Sequence, residues 1–222
     1  VEGKTFMFNG ERNRIDLFTA VFAVLAGFLC TIHTCRLGAA PRGEDVIRGE
    51  ASFQRDGDDT TIRASDGTII EYSSFDIYSN EAVEFIQPSS TAKVLNRDLG
   101  SDATDIYGRL TANGIVYLTN PAGIYFHRGS VVDVGGIRAA AGSISDEDFI
   151  KGIDHFTNLT GDVKNWGTID AGLVQLVGAG VANFGTINAP QGTVTMAAGE
   201  DVLIGEAGGN FYAKFKGAAK QG

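Results

Sequence analysis

Cysteine is all but missing. The 222 residues hold two, Cys30 and Cys35, both near the amino terminus. No disulfide framework can be built after them, so the rest of the chain must hold together by packing and backbone hydrogen bonds. Histidine is nearly as scarce: past the leading segment only His127 and His155 remain. Metal ligation needs clustered donors, so no metal site and no cofactor is expected. Proline is limited to 4 residues, which excludes collagen and Pro-rich linkers. Basic charge is in short supply, with 14 Lys and Arg against 24 Asp and Glu from Pro41 onward. A nucleic-acid binder needs a basic face, so nucleic acid is not an expected partner. There is no Gly-x-Ser-x-Gly elbow. Gly178-Ala179-Gly180 starts like a dinucleotide fingerprint, but Asn183 stands where the third glycine belongs and no helix follows.

The one long apolar run is Leu17 to Ile32, preceded by Arg12 and Arg14 and followed by Gly38, Ala39 and Ala40. A basic start, an apolar middle and a small-residue zone read as a secretory signal peptide over residues 1–40. The run is short for a membrane span; the alternative is an uncleaved signal anchor. Cleavage is expected between about Ala39 and Arg42.

Glycine is abundant, 30 of 222, roughly twice the usual ~7%. After Pro41 the dominant pattern is alternation. Thr60, Ile62 and Ala64 share a face; Val83 and Phe85 oppose Glu84; Val132 and Val134 oppose Asp133. Period two with β-branched residues means strands. Turn signals separate them at Asp56-Gly57-Asp58, Asp66-Gly67, Asn113-Gly114 and Asn120-Pro121-Ala122-Gly123. Asp56, Asp58 and Asp59 read as a solvated hairpin tip. One segment differs: Ser145-Asp146-Glu147-Asp148 opens like a helix cap, with Phe149, Ile150, Ile153 and Phe156 at helical spacing.

Asn165-Trp166-Gly167-Thr168-Ile169-Asp170-Ala171 recurs as Asn183-Phe184-Gly185-Thr186-Ile187-Asn188-Ala189. Val174 and Leu176 recur as Val194 and Met196, which puts the apolar face on the even numbers and turns Thr193 outward. A period near 20 without a leucine-rich frame fits a parallel β-helix, whose coils stack equivalent residues. The expected stack sets Asn165 under Asn183 as a hydrogen-bonding ladder, with Trp166 under Phe184 and Ile169 under Ile187 filling a continuous core. Residues 41–222 form one domain of roughly nine coils, on the order of 40 Å long.

β-Helices also serve polysaccharide lyases and glycoside hydrolases, which need acids at one strand position on adjacent coils with a base nearby. The repeat sets Asp170 over Asn188 instead, and Asp98, Asp102 and Asp105 fall in one loop. No enzyme is expected. A third reading is a structural surface-fibre subunit that stacks end to end, which an exposed end coil would favour.

Several stretches together carry a resemblance. They are Ile69-Ile70-Glu71-Tyr72-Ser73-Ser74-Phe75-Asp76-Ile77, Val83-Glu84-Phe85-Ile86-Gln87-Pro88, Val94-Leu95-Asn96-Arg97 and Ile106-Tyr107-Gly108-Arg109-Leu110-Thr111-Ala112-Asn113-Gly114. After them come Val116-Tyr117-Leu118-Thr119-Asn120-Pro121-Ala122-Gly123-Ile124, Val134-Gly135-Gly136-Ile137, Asp148-Phe149-Ile150-Lys151-Gly152 and the two repeats. In this order the chain resembles the haemagglutination-activity, or two-partner-secretion, domain of filamentous-haemagglutinin-like exoproteins. The resemblance implies an all-β fold: a right-handed parallel β-helix with an N-terminal cap and extra-helical strands. It implies a non-catalytic secretion module at the front of a longer exoprotein. Such a protein is exported by the Sec machinery, recognised by the periplasmic POTRA domains of a cognate outer-membrane barrel, and left secreted or on the cell surface. A host-surface or neighbouring-cell ligand would be met by the downstream region. Recognition would rest on Asn120, Pro121, Ala122, Gly123 and Ile124, with Asn96 and Arg97. Ala122 stands where the family usually has asparagine, and Tyr72 where tryptophan is common.

Overall fold

The computed structural model describes residues 41–207 and 210–216; the expected leader over residues 1–40 lies outside them. The chain opens with β1 (Asp45–Arg48), β2 (Ala51–Asp56), β3 (Asp59–Ala64) and β4 (Thr68–Tyr72). There follow β5 (Ala82–Ile86), β6 (Lys93–Asp98), β7 (Thr104–Ile106), β8 (Arg109–Thr119), β9 (Ile124–Phe126) and β10 (Val131–Ala140). An insertion of β11 (Ser143–Ile144), α1 (Asp146–Lys151) and β12 (Asp154–Thr157) interrupts the winding. It resumes with β13 (Asp162–Asn165), β14 (Thr168–Ala171), β15 (Leu173–Gly178), β16 (Gly180–Asn183), β17 (Thr186–Asn188) and β18 (Thr193–Ala198). A hairpin, β19 (Asp201–Ala207) and β20 (Asn210–Lys216), follows.

The strands wind into a solenoid with three parallel faces. The first stacks β3, β5, the front half of β8, the front half of β10, β14 and β17. The second stacks β4, β6, the back halves of β8 and β10, β15 and β18. The third stacks β7, β9, β13 and β16. The register slips between Val134 and Gly136 on β10, because the strand turns a corner there. The second face is six strands deep, not nine. The insertion and the hairpin stand outside the winding and consume the residues that a constant period would have given to further coils.

Alternation places the core as expected. Ile62, Val83, Phe85, Val132, Ile169, Val174 and Leu176 are all buried inside the solenoid. Tyr72 is buried too, its hydroxyl donating to Asn96 Oδ1 at 3.1 Å. The first coil is capped: β1 pairs antiparallel with β4, and β2 folds back antiparallel on β3. These strands occupy the bonding edges that the first coil would otherwise expose. Among the described residues the other end is uncovered. Phe184, Val194 and Met196 are 66%, 46% and 43% exposed, although Val194 and Met196 lie in register with the buried Val174 and Leu176.

The aromatic stack is not in the core. Asn165 points inward and is fully buried, so its neighbour Trp166 points outward, where it is half-buried. Trp166 lies 5.5 Å from the Phe184 ring and 6.0 Å from His127, which in turn stacks on Tyr107 at 3.8 Å. The rings therefore form a column on the outside of one corner. The asparagine ladder is as expected, with Asn165 Nδ2 donating to Asn183 Oδ1 at 2.8 Å. Ile169 is fully buried, but Ile187, in the last coil, is only partly covered.

A second core lies outside the solenoid. β12 pairs with β11 on one side and β19 on the other, and β20 completes the sheet. Ser145 caps α1, its hydroxyl accepting from the Asp148 amide at 3.1 Å, and Gly152 ends the helix in the left-handed region. Phe149 and Phe156 are buried under this layer, Phe156 on a strand; Ile150 and Ile153 face solvent.

Candidate recognition turn and the faces around it

The turn after β8 is built from its asparagine. Asn120 Oδ1 accepts from the Ala122 amide at 2.9 Å, and the Gly123 amide donates to the Asn120 carbonyl at 3.1 Å. Gly123 has a φ of 134°, a conformation that side chains resist. Asn120 Nδ2 reaches across to the previous coil, donating to the Asp102 carbonyl at 2.9 Å and to Thr104 Oγ1 at 3.0 Å. Asn120 and Ile124 are fully buried. Pro121 is half-buried, Gly123 is buried, and Ala122 is the exposed residue of the group. The turn of the next coil rests on it, with Thr160 Oγ1 donating to the Pro121 carbonyl at 2.8 Å.

Asn96 and Arg97 lie one coil back, on β6. Asn96 is fully buried, accepting from Tyr72 and donating to the Tyr117 carbonyl at 3.1 Å. Arg97 points outward, where it donates to the Ile144 carbonyl at 3.0 Å and pairs with Asp146 at the start of α1 and with Glu71 at 3.5 Å. Asp98 does not lie in the loop with Asp102 but ends β6. It is buried and accepts from the Phe75 amide at 3.1 Å, the Gly100 amide at 2.9 Å and Thr104 Oγ1 at 2.6 Å. The loop that touches Asn120 is thus tied down by Asp98.

Sequence reasoning missed two groupings. The first is on the front face. Asp170 has Asn188 on one side, at 2.7 Å, and Asp133 in register on the other. The signal was available, since Val131-Val132-Asp133-Val134 repeats the pattern of Thr168-Ile169-Asp170-Ala171. Glu84 and Thr111 continue the same column. No basic residue stands in that column. Among the described residues no three His, Cys, Asp or Glu gather as metal ligands, and both described histidines are engaged. His127 Nε2 pairs with Asp105 at 2.7 Å; His155 lies between Asp201 at 3.0 Å and Asp148 at 3.5 Å. The second missed grouping is a buried polar cluster under the outer layer. Asp154 accepts from Tyr117 Oη at 2.9 Å, Arg138 Nε at 2.8 Å and Gln175 Nε2 at 3.0 Å. Burial pushes the Tyr117 phenol well above its ordinary value; the Arg138 charge opposes that, and Asp154 adds to it.

The sequence profile of the TPS secretion domain matches residues 40–219. The chain belongs to the TPS secretion-domain family. The crystal structure of the HMW1 secretion domain from Haemophilus influenzae superposes with a TM-score of 0.74 at 30% identity, covering 81% of this chain and 50% of that one. A heme/hemopexin-binding protein of Haemophilus influenzae is 42% identical over 100 residues, and a second is 38% identical over 101. Each match takes in 45% of this chain and 11% of the relative, so the chain matches about a tenth of those proteins. As a TPS domain the chain is a non-catalytic secretion module of an exoprotein type, and such a domain has a cognate outer-membrane transporter. The exposed end counts toward a stacking fibre subunit, but the first coil is covered by β1 and β2, whose antiparallel pairing does not continue the parallel stack.

Proposed function

We propose that this TPS domain is the front of a much longer exoprotein, brought through the inner membrane by Sec with its leader removed. In the periplasm its transporter's POTRA domains read Asn120, Pro121, Ala122, Gly123 and Ile124, with Asn96 and Arg97, while the chain is still extended. The observation that carries this is burial. Asn96, Asn120 and Ile124 are wholly inside the folded solenoid, and both asparagine amides are committed to internal hydrogen bonds. A partner that reads those side chains must do so before the solenoid winds, which makes recognition and folding compete for the same groups. Winding at the cell surface then removes the chain from the transporter. The open end, lined by Phe184, Val194 and Met196, receives further coils of the exoprotein, and the downstream part carries any host-surface or neighbouring-cell ligand.

The test is binding of purified POTRA domains to the chain held extended in dilute urea and to the same chain folded. Binding is expected to the extended chain and to weaken at least about tenfold in Asn120→Ala, the loss of one or two hydrogen bonds. Ala122→Asn changes an exposed position, leaves stability within about 0.5 kcal/mol and keeps or strengthens binding. Equal affinity for folded and extended chains, together with an unaffected Asn120→Ala, would defeat this reading.

A further inference from the structure

The outer layer rests on every coil of the second face. Its floor is Ile69 from β4, Leu95 from β6, Tyr117 from β8, Ala140 from β10, Val177 from β15 and Ala197 from β18. Its roof comes from two places far apart in the chain: Ile144, Phe149, Phe156 and Leu159 around the insertion, and Val202 and Ile204 from the hairpin. The two coils from β13 to β18 run between them and supply the last two floor residues. Neither half of the roof closes this core alone.

Three consecutive coils also converge on one carboxylate of the roof. Tyr117, Arg138 and Gln175 lie side by side in register on β8, β10 and β15. Each donates to Asp154 on β12, at 2.9, 2.8 and 3.0 Å. The Arg138 guanidinium also lies 4.7 Å over the Tyr117 ring. Side chains alternate in a strand, so a one-residue slip of β10 or β15 turns its donor to the other face. Asp154 would then be a buried charge short of partners, a costly state. Around this point Lys93 binds the carbonyls of Phe149 and Ile150 at the end of α1, and Arg97 holds its acidic start. On the roof itself His155 ties β12 to Asp201 of β19.

We infer that the insertion and the hairpin are one cooperative cover, and that Asp154 makes its closure conditional on β8, β10 and β15 being stacked in the correct register. The cover closes last and reports that the solenoid is wound. This goes beyond the secretion reading and does not depend on it.

The test is amide hydrogen exchange on the full purified chain, so a failure of transporter recognition cannot be mistaken for failure here. In the wild type, residues 144–156 and 201–207 exchange at a common rate, faster than 104–126 and 131–140. Gln175→Met removes one of the three donors. It raises exchange in both cover segments together by about tenfold, the scale of one buried hydrogen bond, and leaves the solenoid segments within about twofold. Asp154→Asn has a larger effect of the same pattern. If Asp154→Asn fails to fold, Gln175→Met and Tyr117→Phe decide the matter. Exchange that stays unchanged, rises in one cover segment only, or rises equally throughout the chain overturns the inference.

Discussion

Ile169→Ala and Ile187→Ala remove the same atoms from the same column, one coil apart. Ile169 lies between Val132 and Ile187 in register and is fully buried. Ile187 has Ile169 on one side only and is partly covered. Cutting isoleucine to alanine loses about 2.4 kcal/mol of transfer free energy at ~0.8 kcal/mol per carbon. At Ile169 the rigid coils above and below cannot collapse into the space, and a cavity term brings the cost to roughly 3–4 kcal/mol. At Ile187 part of the side chain already touches solvent and no coil caps the gap, so about 1–2 kcal/mol is expected. With a urea slope of about 3 kcal/mol per molar, the midpoints should fall by about 1 M and about 0.5 M. Trp166 is the chain's sole tryptophan, and it stands in the same coil as Ile169. Its fluorescence, together with far-ultraviolet circular dichroism, follows both variants. Equal midpoints, or a larger loss at Ile187, would show that the column does not end where the structure ends it.

Alkali should unfold the domain. Burial, with Glu44 nearby, pushes the Tyr72 phenol far above its ordinary value, and burial likewise raises Tyr117. The unfolded chain releases both protons near pH 10 while the folded chain keeps them. Stability is therefore intact below about pH 10 and falls above it by up to ~1.4 kcal/mol per pH unit for each tyrosine. Urea midpoints at pH 9 and 11 measure the slope, and Tyr72→Phe should roughly halve it. At Gly192 an added Cβ would collide with the Gly172 carbonyl oxygen of the coil before. Gly192→Ala should cost roughly 1–3 kcal/mol, and a thermal midpoint equal to wild type would contradict the coil spacing.

Strand class, winding and the identity of the inward residues were legible because a two-residue period leaves each side chain only two directions. Ile62, Val83, Val132 and Ile169 all face inward as alternation requires. The cap of α1 was legible because Ser145 and its acidic turn act within four residues. Trp166 was misplaced by its chemistry. An aromatic ring suggests a core, but the parity of its neighbour Asn165, whose amide completes the internal ladder, forces it outside. The coil number was overestimated because the repeat shows a period and not the stretches that leave it. The Asp154 cluster was out of reach for the same reason. Its four members come from four strands, and an insertion of arbitrary length separates Arg138 from Gln175.

The unequal ends have a consequence for self-association. β1 and β2 block one terminus of the solenoid, while Phe184, Val194 and Met196 leave the other uncovered. In the language of filament growth the domain is a capped seed, able to elongate in one direction only. Two copies can meet open end to open end across a twofold axis, and that contact uses up both open ends. Head-to-tail addition, the heterologous contact that generates fibres, would meet β1 and β2, which run antiparallel to the coil strands and do not continue the parallel stack. Where further coils continue the winding, they occupy the uncovered end and close the twofold contact as well.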